Sequence, residues 1–291
     1  MSGRTWEYIA RRGFFSHDED PESWEFRATT RTGLGILNRA YPTDADFDPK
    51  YQRSQWERLR HYVQSLNQED PETKRYKIIF LVRHGQGLHN VKEKEVGRKE
   101  WDRYWAKLPG DGTTTWLDAE LTPTGEQQAR DIAKFWASEN LPLPGSVYSS
   151  PLRRCLRTTT LAFAPVLNAV PKRVQTTKEK LRERLGVHTC DQRSSKTWIA
   201  NTYPNFEIED GFTEEDELWQ PNRRETFEEH VLRKTELLDD VFANDDNELI
   251  SMTAHSGAIM ALFAATGWKK IPVAAGAVYP LLVCATRTQA E

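Results

Sequence analysis

The hydrophobic pattern changes character at residue 77. Residues 1–75 mix polar and aromatic positions and carry little strand signal. Within them Trp56, Leu59, Tyr62 and Val63 share one helical face and predict a helix over Ser54 to Ser65. Lys77 then opens an unbroken run, Ile78-Ile79-Phe80-Leu81-Val82, which stops at Arg83-His84-Gly85-Gln86-Gly87. Such a run suits a central strand covered on both faces. Leu121-Thr122-Pro123-Thr124-Gly125 marks a helix start, with Thr122 as cap and Pro123 in the first position. Ala129, Ile132, Ala133 and Trp136 continue it at helical spacing. Ser146 to Ser149 reads as a short strand, Pro151 to Phe163 as a helix, and Arg173 to Thr176 as a weak strand. Glu225 to Phe242 is amphipathic, with Phe227, Val231, Leu238 and Val241 in register. Leu249 to Thr253 is a strand leading into His255-Ser256-Gly257 and a helix from Ala258; Val278 to Cys284 is a last strand. Strands alternating with helices predict an α/β fold: a three-layer α/β/α sandwich with a mainly parallel central sheet.

Composition narrows the class. The 291 residues correspond to one large domain or two small ones at roughly 100–200 residues each. Mean hydropathy is −0.72, yet 10 Trp, 12 Phe and 9 Tyr argue against a disordered chain. Forty basic against 43 acidic residues leave a net charge of −3, without the basic excess that a nucleic-acid or anionic-membrane binder needs. Cys155, Cys190 and Cys284 form no CxxC pair, and so no disulfide framework or zinc pattern, which fits a reducing compartment. No apolar stretch has the length of a signal peptide or a membrane span. A cytoplasmic location is the expectation.

The chemistry collects at strand ends. Two strands finish in a histidine followed closely by glycine, at His84 and at His255; a third runs into Ser149-Ser150-Pro151-Leu152-Arg153-Arg154. In a parallel α/β sheet, ligands bind at the carboxyl ends of strands. If the three strands share one sheet, two imidazoles and several guanidiniums share one pocket. Such a pocket suits a phosphoryl group: arginines grip its oxygens, and a neutral imidazole can attack phosphorus.

These residues resemble the histidine phosphatase superfamily, the phosphoglycerate-mutase-like fold. Leu81-Val82-Arg83-His84-Gly85 is similar to its opening motif, and Asn90 stands where the family has a phosphate-binding asparagine. Leu121 to Ala129 resembles its second signature, and Ser150-Pro151-Leu152-Arg153-Arg154-Cys155 the segment carrying the second phosphate arginine, here Arg154. Leu181-Arg182-Glu183-Arg184 resembles the motif of the acid, and Thr253 to Gly257 the second histidine motif. The resemblance spans residues 77 to 284. Arg83 to Val91 and Gly186 to Asp191 look like the fungal and plant phosphomutase-like branch.

The resemblance implies roles. His84 would be the nucleophile, passing through phosphohistidine. Arg83, Asn90, Arg154 and His255 would bind the equatorial oxygens, with Ser256 offering its backbone N–H at a helix start. Glu183, in a charged run that would otherwise read as a solvated face, would be the general acid. No metal or cofactor is expected, because arginine and histidine supply the positive charge. His188, Asp191 and Arg193 follow the acid motif closely and are candidates either for the pocket lining or for a structural loop, and His89 is expected to pack beside Asn90. His17, His61 and His230 read as surface residues, and Cys155 as a small packing residue.

The partner is a small phosphorylated molecule, with no nucleic acid and no membrane; the sequence carries no signal of oligomeric state. The Gly-Trp and Tyr-Gly stretches of true phosphoglycerate mutases are missing after Asn90 and Glu183, which favours a phosphatase. A mutase and a non-catalytic phosphate binder stand as alternatives. Sugar, nucleotide, aromatic and prenyl phosphates or diphosphates are all open as substrates. Trp101, Trp105 and Trp116 hint at an apolar portion. The motifs indicate a single domain over 1–291. Its core runs over 77–291 with insertions at 92–116 and 187–222; residues 1–76 are an extension expected to cap the site.

Overall fold

The computed structural model describes residues 6–19, 32–167 and 175–288. Its centre is the apolar run at residue 77, the middle of a long strand, β2 (Lys74–Arg83). The other strands are β1 (Trp6–Arg11), β3 (Ser146–Ser149), β4 (Gln175–Thr177), β5 (Phe206–Ile208), β6 (Leu249–Ala254) and β7 (Val278–Arg287). They form one sheet in the order β1-β7-β2-β6-β3-β4-β5. The neighbours from β2 through β6, β3 and β4 to β5 are parallel, whereas β7 runs antiparallel to both β1 and β2. Arg173, placed in the weak strand by the sequence, lies outside the described residues; the strand there is β4.

The helices are α1 (Asp44–Phe47), α2 (Gln55–Glu69), α3 (Leu88–Val96), α4 (Arg98–Arg103), α5 (Pro123–Ser138), α6 (Arg153–Leu167), α7 (Lys196–Thr202), α8 (Phe227–Asn244) and α9 (Ser256–Ala265). Side-chain caps set several starts. Ser54 Oγ accepts from the Glu57 N–H at α2, and Thr122 Oγ1 from the Gly125 N–H at α5, where Pro123 takes the first position.

Alternation along β2 assigns the two faces. Ile78, Phe80 and Val82 pack with Trp56, Leu59 and Val63 of α2, Ile132 and Trp136 of α5 and Phe163 of α6. Ile79 and Leu81 pack on the other face with Leu237, Leu238, Val241 and Phe242 of α8 and Ile259, Leu262 and Phe263 of α9. The result is the three-layer sandwich. Each such side chain contributes about 1.5–3 kcal/mol on burial, against a net value of about 1 kcal/mol for a typical hydrogen bond, so the apolar faces fix the register of β2.

The N-terminal segment departs from its sequence reading. Trp6, Tyr8 and Ala10 are buried and alternate with exposed Glu7, Ile9 and Arg11 on the edge strand β1. The charged alternate positions of an edge strand gave the segment its polar look. The buried face of α8 is also rotated from its apolar periodicity. It carries His230, Arg233 and Lys234 beside Leu237, Leu238 and Val241. His17, too, is buried, so His17 and His230 are not surface residues.

Two glycines lock the strand-end loops together. A Cβ at Gly85 would lie 2.2 Å from the Gly125 carbonyl oxygen, and one at Gly125 would lie 2.1 Å from that of Gln86. The Arg83-His84-Gly85 turn and the start of α5 therefore touch backbone to backbone. The two insertions also meet: Trp101, Ala106, Trp116 and Ala119 pack with Cys190 in a small cluster of their own.

Candidate active site

The parallel register of β2, β6 and β3 brings three chain exits side by side. The His84 N–H donates to the Ala254 carbonyl, and the Ser150 N–H to that of Thr253, each within hydrogen-bonding distance. The motifs at His84, Ser150 to Arg154 and His255 thus converge. They border a cavity of about 470 Å³ lined by Arg83, His84, Asn90, Arg154, Glu183 and Ser256, among others. A groove of about 910 Å³ running past Glu209, Phe212 and Leu232 contains none of these residues.

His84 is 2% exposed. Its Nδ1 lies 2.7 Å from the Gly85 carbonyl oxygen. A carbonyl only accepts, so Nδ1 carries the hydrogen and Nε2 keeps a lone pair. Burial, then Arg154 and Arg83, hold this histidine well below its ordinary value of 6.5. It is neutral at physiological pH.

Arg154, 1% exposed, stands between the imidazoles: its Nε–H lies 3.3 Å from His84 Nε2 and 3.2 Å from His255 Nδ1. His255 Nε2 lies 2.8 Å from Ser150 Oγ. His255 is buried behind Arg154, not in the cavity wall itself, and burial keeps it neutral as well. Cys155 packs beneath it, with Sγ 3.4 Å from His255 Nε2.

Arg83 Nη1 donates to the Val273 carbonyl at 2.6 Å, while its Nε is buried without a partner. Asn90 Oδ1 accepts from the Gly87 N–H at 3.0 Å, which fixes the side chain at the cavity edge. Ser256 opens α9 against the cavity. Glu183 reaches in from the opposite side: Oε2 accepts from the Gly257 N–H at 2.8 Å and Oε1 from the Arg184 N–H at 2.9 Å. A Cβ at residue 257 would lie 2.1 Å from Glu183 Oε1, so the glycine after Ser256 makes room for the carboxylate.

Arg98, Asp102, Arg184, Arg224 and the buried cations of α8 are contributors that sequence reasoning missed, whereas His89, His188 and Asp191 were among its candidates. The buried cations of α8 clamp the Glu183 loop. Arg233 Nη2 donates to the Glu183 carbonyl at 2.9 Å, and Lys234 Nζ to that of Arg182 at 2.8 Å. Arg98, Asp102, Arg184 and Arg224 line the cavity, as do His89, His188 and Asp191. Arg193 is turned away into bonds with Glu179 and Thr213. Trp101 reaches the cavity; Trp105 and Trp116 do not. None of the described residues before Arg83 lines it. His188, Cys190 and Asp191 hold potential ligand atoms within 4.8 Å of one another. Both carboxylate oxygens of Asp191, however, are held by arginines, whose charges oppose a metal ion.

The family model for the histidine phosphatase superfamily (branch 1) matches residues 105–285 of this chain. A probable phosphoglycerate mutase of Arthroderma benhamiae is 43% identical over 284 residues, 95% of this chain and 84% of that protein. The chain belongs to the histidine phosphatase superfamily. A probable phosphoglycerate mutase of Saccharomyces cerevisiae is 36% identical, over 71% of this chain and 76% of that protein. A broad-specificity phosphatase of the same yeast is 28% identical, over 62% and 66% respectively. As a superfamily member the chain is phosphatase- or mutase-like in class. The family match begins after His84, so a role for that histidine rests on its geometry. No helix among the described residues is long and apolar enough to cross a membrane.

Proposed function

We propose that the protein is a metal-independent phosphatase that hydrolyses a small, polar phosphate ester through phosphohistidine on His84. The observation that carries this reading is the Nδ1–H···O=C bond from His84 to Gly85, which leaves a neutral cavity-lining ring whose Nε2 lone pair faces the Arg154 guanidinium. Nε2 attacks phosphorus, and the bond from phosphorus to the ester oxygen breaks. Glu183 gives a proton to the departing alcohol. It then takes one from the water that attacks phosphohistidine, so inorganic phosphate leaves and the imidazole is restored. Arg83, whose Nε lacks a partner, joins Arg154, Asn90 and the α9 N-terminus at Ser256 in holding the equatorial oxygens. His255 keeps the Arg154 guanidinium facing His84.

Charge favours hydrolysis over mutase chemistry. Five arginines line the cavity against four carboxylates, and the lining histidines His84, His89 and His188 are held neutral by burial. That leaves an excess of one positive charge, less than a single phosphate dianion carries. Arg98 is already paired with Glu93 at 2.7 Å and Arg224 with Asp191 at 2.9 Å, so beyond Arg83 and Arg154 only Arg184, bonded to the Glu225 carbonyl, is left to meet a second anionic group. The charged wall and the packing of Trp105 and Trp116 elsewhere argue against a prenyl chain.

Hydrolysis of a chromogenic aryl phosphate tests the reading. Release should be blocked by vanadate and unaffected by EDTA, and His84→Ala should lower it by at least about a thousandfold. Activity within about tenfold of wild type in His84→Ala would sink the assignment, since an essential nucleophile is worth far more. Phosphoglycerate interconversion faster than phosphate release would favour the mutase.

A further inference from the structure

Arg154 holds the centre of the site, and the insertion at 187–222 holds Arg154. Its Nη1 donates to the Cys190 carbonyl at 2.5 Å and its Nη2 to Asp191 Oδ1 at 2.9 Å. With both outer nitrogens fixed, Nε is turned onto His84 and His255. The second oxygen of Asp191, Oδ2, accepts from Arg224 Nη1 at 2.9 Å. The same Arg224 nitrogen reaches the carbonyls of Arg184 at 2.8 Å and Gly186 at 2.6 Å, just past Glu183. The main-chain carbonyl of Asp191 accepts from Arg182 Nη2 at 2.7 Å, immediately before Glu183. Asp191 is 3% exposed, and it bridges the phosphate arginine and the loop of the acid.

Fixing a flexible guanidinium costs rotamer entropy. Charge-assisted bonds in a buried site offset that cost and set one orientation. Burial alone would raise the Asp191 carboxyl; Arg224 and then Arg154 outweigh it and hold the group below its ordinary value of 3.8. The carboxylate is therefore ionised at physiological pH.

We propose that Asp191 is a positioning residue: it orients Arg154 for the phosphoryl group and, through Arg224, ties that orientation to the loop carrying Glu183. The inference rests on the phosphatase reading, because the transferred phosphoryl group is what an oriented Arg154 receives. The opposite role has a distinct signature. A carboxylate that merely competed with phosphate for Arg154 would, once neutralised, leave tighter anion binding.

Asp191→Asn separates the two. Positioning predicts that kcat on an aryl phosphate falls about 10–100-fold, and that vanadate inhibition weakens alongside it. Tighter vanadate binding, or kcat within about threefold of wild type, overturns the proposal. Chemical rescue adds a readout that a purely structural role would not move. Guanidinium ion should restore activity to Arg154→Ala while Asp191 is present to seat it, and not to the Arg154→Ala/Asp191→Asn double variant; equal rescue in both overturns the proposal. If Asp191→Asn does not fold, Asp191→Glu carries the test: the charge stays but the carboxylate shifts, and wild-type kcat there counts against positioning. A wild-type protein that releases no phosphate overturns the phosphatase reading and this inference with it. An active wild type with an unaffected Asp191→Asn overturns this inference alone.

Discussion

At the scale of single residues, the site depends on which proton each histidine keeps. Sequence supplied His84 and its neighbours, but not the Gly85 carbonyl that fixes the tautomer or the guanidinium that faces Nε2. Those contacts arise from a turn geometry and a register across strands distant in sequence. They make a pH prediction. In the proposed mechanism the neutral form of His84 is the nucleophile, and burial with Arg154 and Arg83 puts its protonation well below 6.5. As pH falls through 6.5 the ring stays neutral, and activity is lost only near the lowered value. Corrected for the ester's own ionisation, kcat/KM should stay flat from about pH 7 to 6. An acid limb centred on an ordinary histidine value would contradict it.

At the scale of elements, the strand ends were legible and their partners were not. The apolar run of β2 and the caps at Ser54 and Thr122 are local features, and helices and strands follow them closely. The buried face of α8 was misjudged because Arg233 and Lys234 lie inside, bonded to the carbonyls around Glu183. A charge inside a fold is tolerable only with such partners, and a one-dimensional pattern does not show them. The meeting of α9 with the acid loop makes a further prediction. Gly257→Ala places a methyl 2.1 Å from Glu183 Oε1 and must displace the carboxylate. It should lower kcat about 10–100-fold with the fold intact by circular dichroism. The double variant with Glu183→Ala should be no worse than Glu183→Ala alone; additive losses would show that the two residues act separately.

At the scale of the whole molecule, buried histidines couple stability to pH. His84, His89 and His255 are at most 7% exposed, and all are pushed well below 6.5 by burial; His230 is lowered by burial too. Below about pH 6.5 the unfolded chain binds protons that the folded chain does not, so stability falls with pH at about 1.4 kcal/mol per unit for each histidine that stays neutral. The unfolding midpoint measured by calorimetry should drop steadily from pH 7 to 5. A midpoint unchanged over that range would mean that these rings are charged in the folded state. The sequence alone determined the three-layer sandwich, because apolar periodicity is local and strands buried on both faces leave an unmistakable run. It also put His84, Arg154, Glu183 and His255 forward as candidates, because the ordered motifs that carry the family resemblance can be read from the chain alone. Tertiary structure alone decided that Trp6 to Arg11 completes the sheet beside β7, since an edge strand needs a partner to declare itself. It likewise decided that Asp191 and Arg224 stand behind Arg154, because a long-range ion pair leaves no period or spacing in the chain.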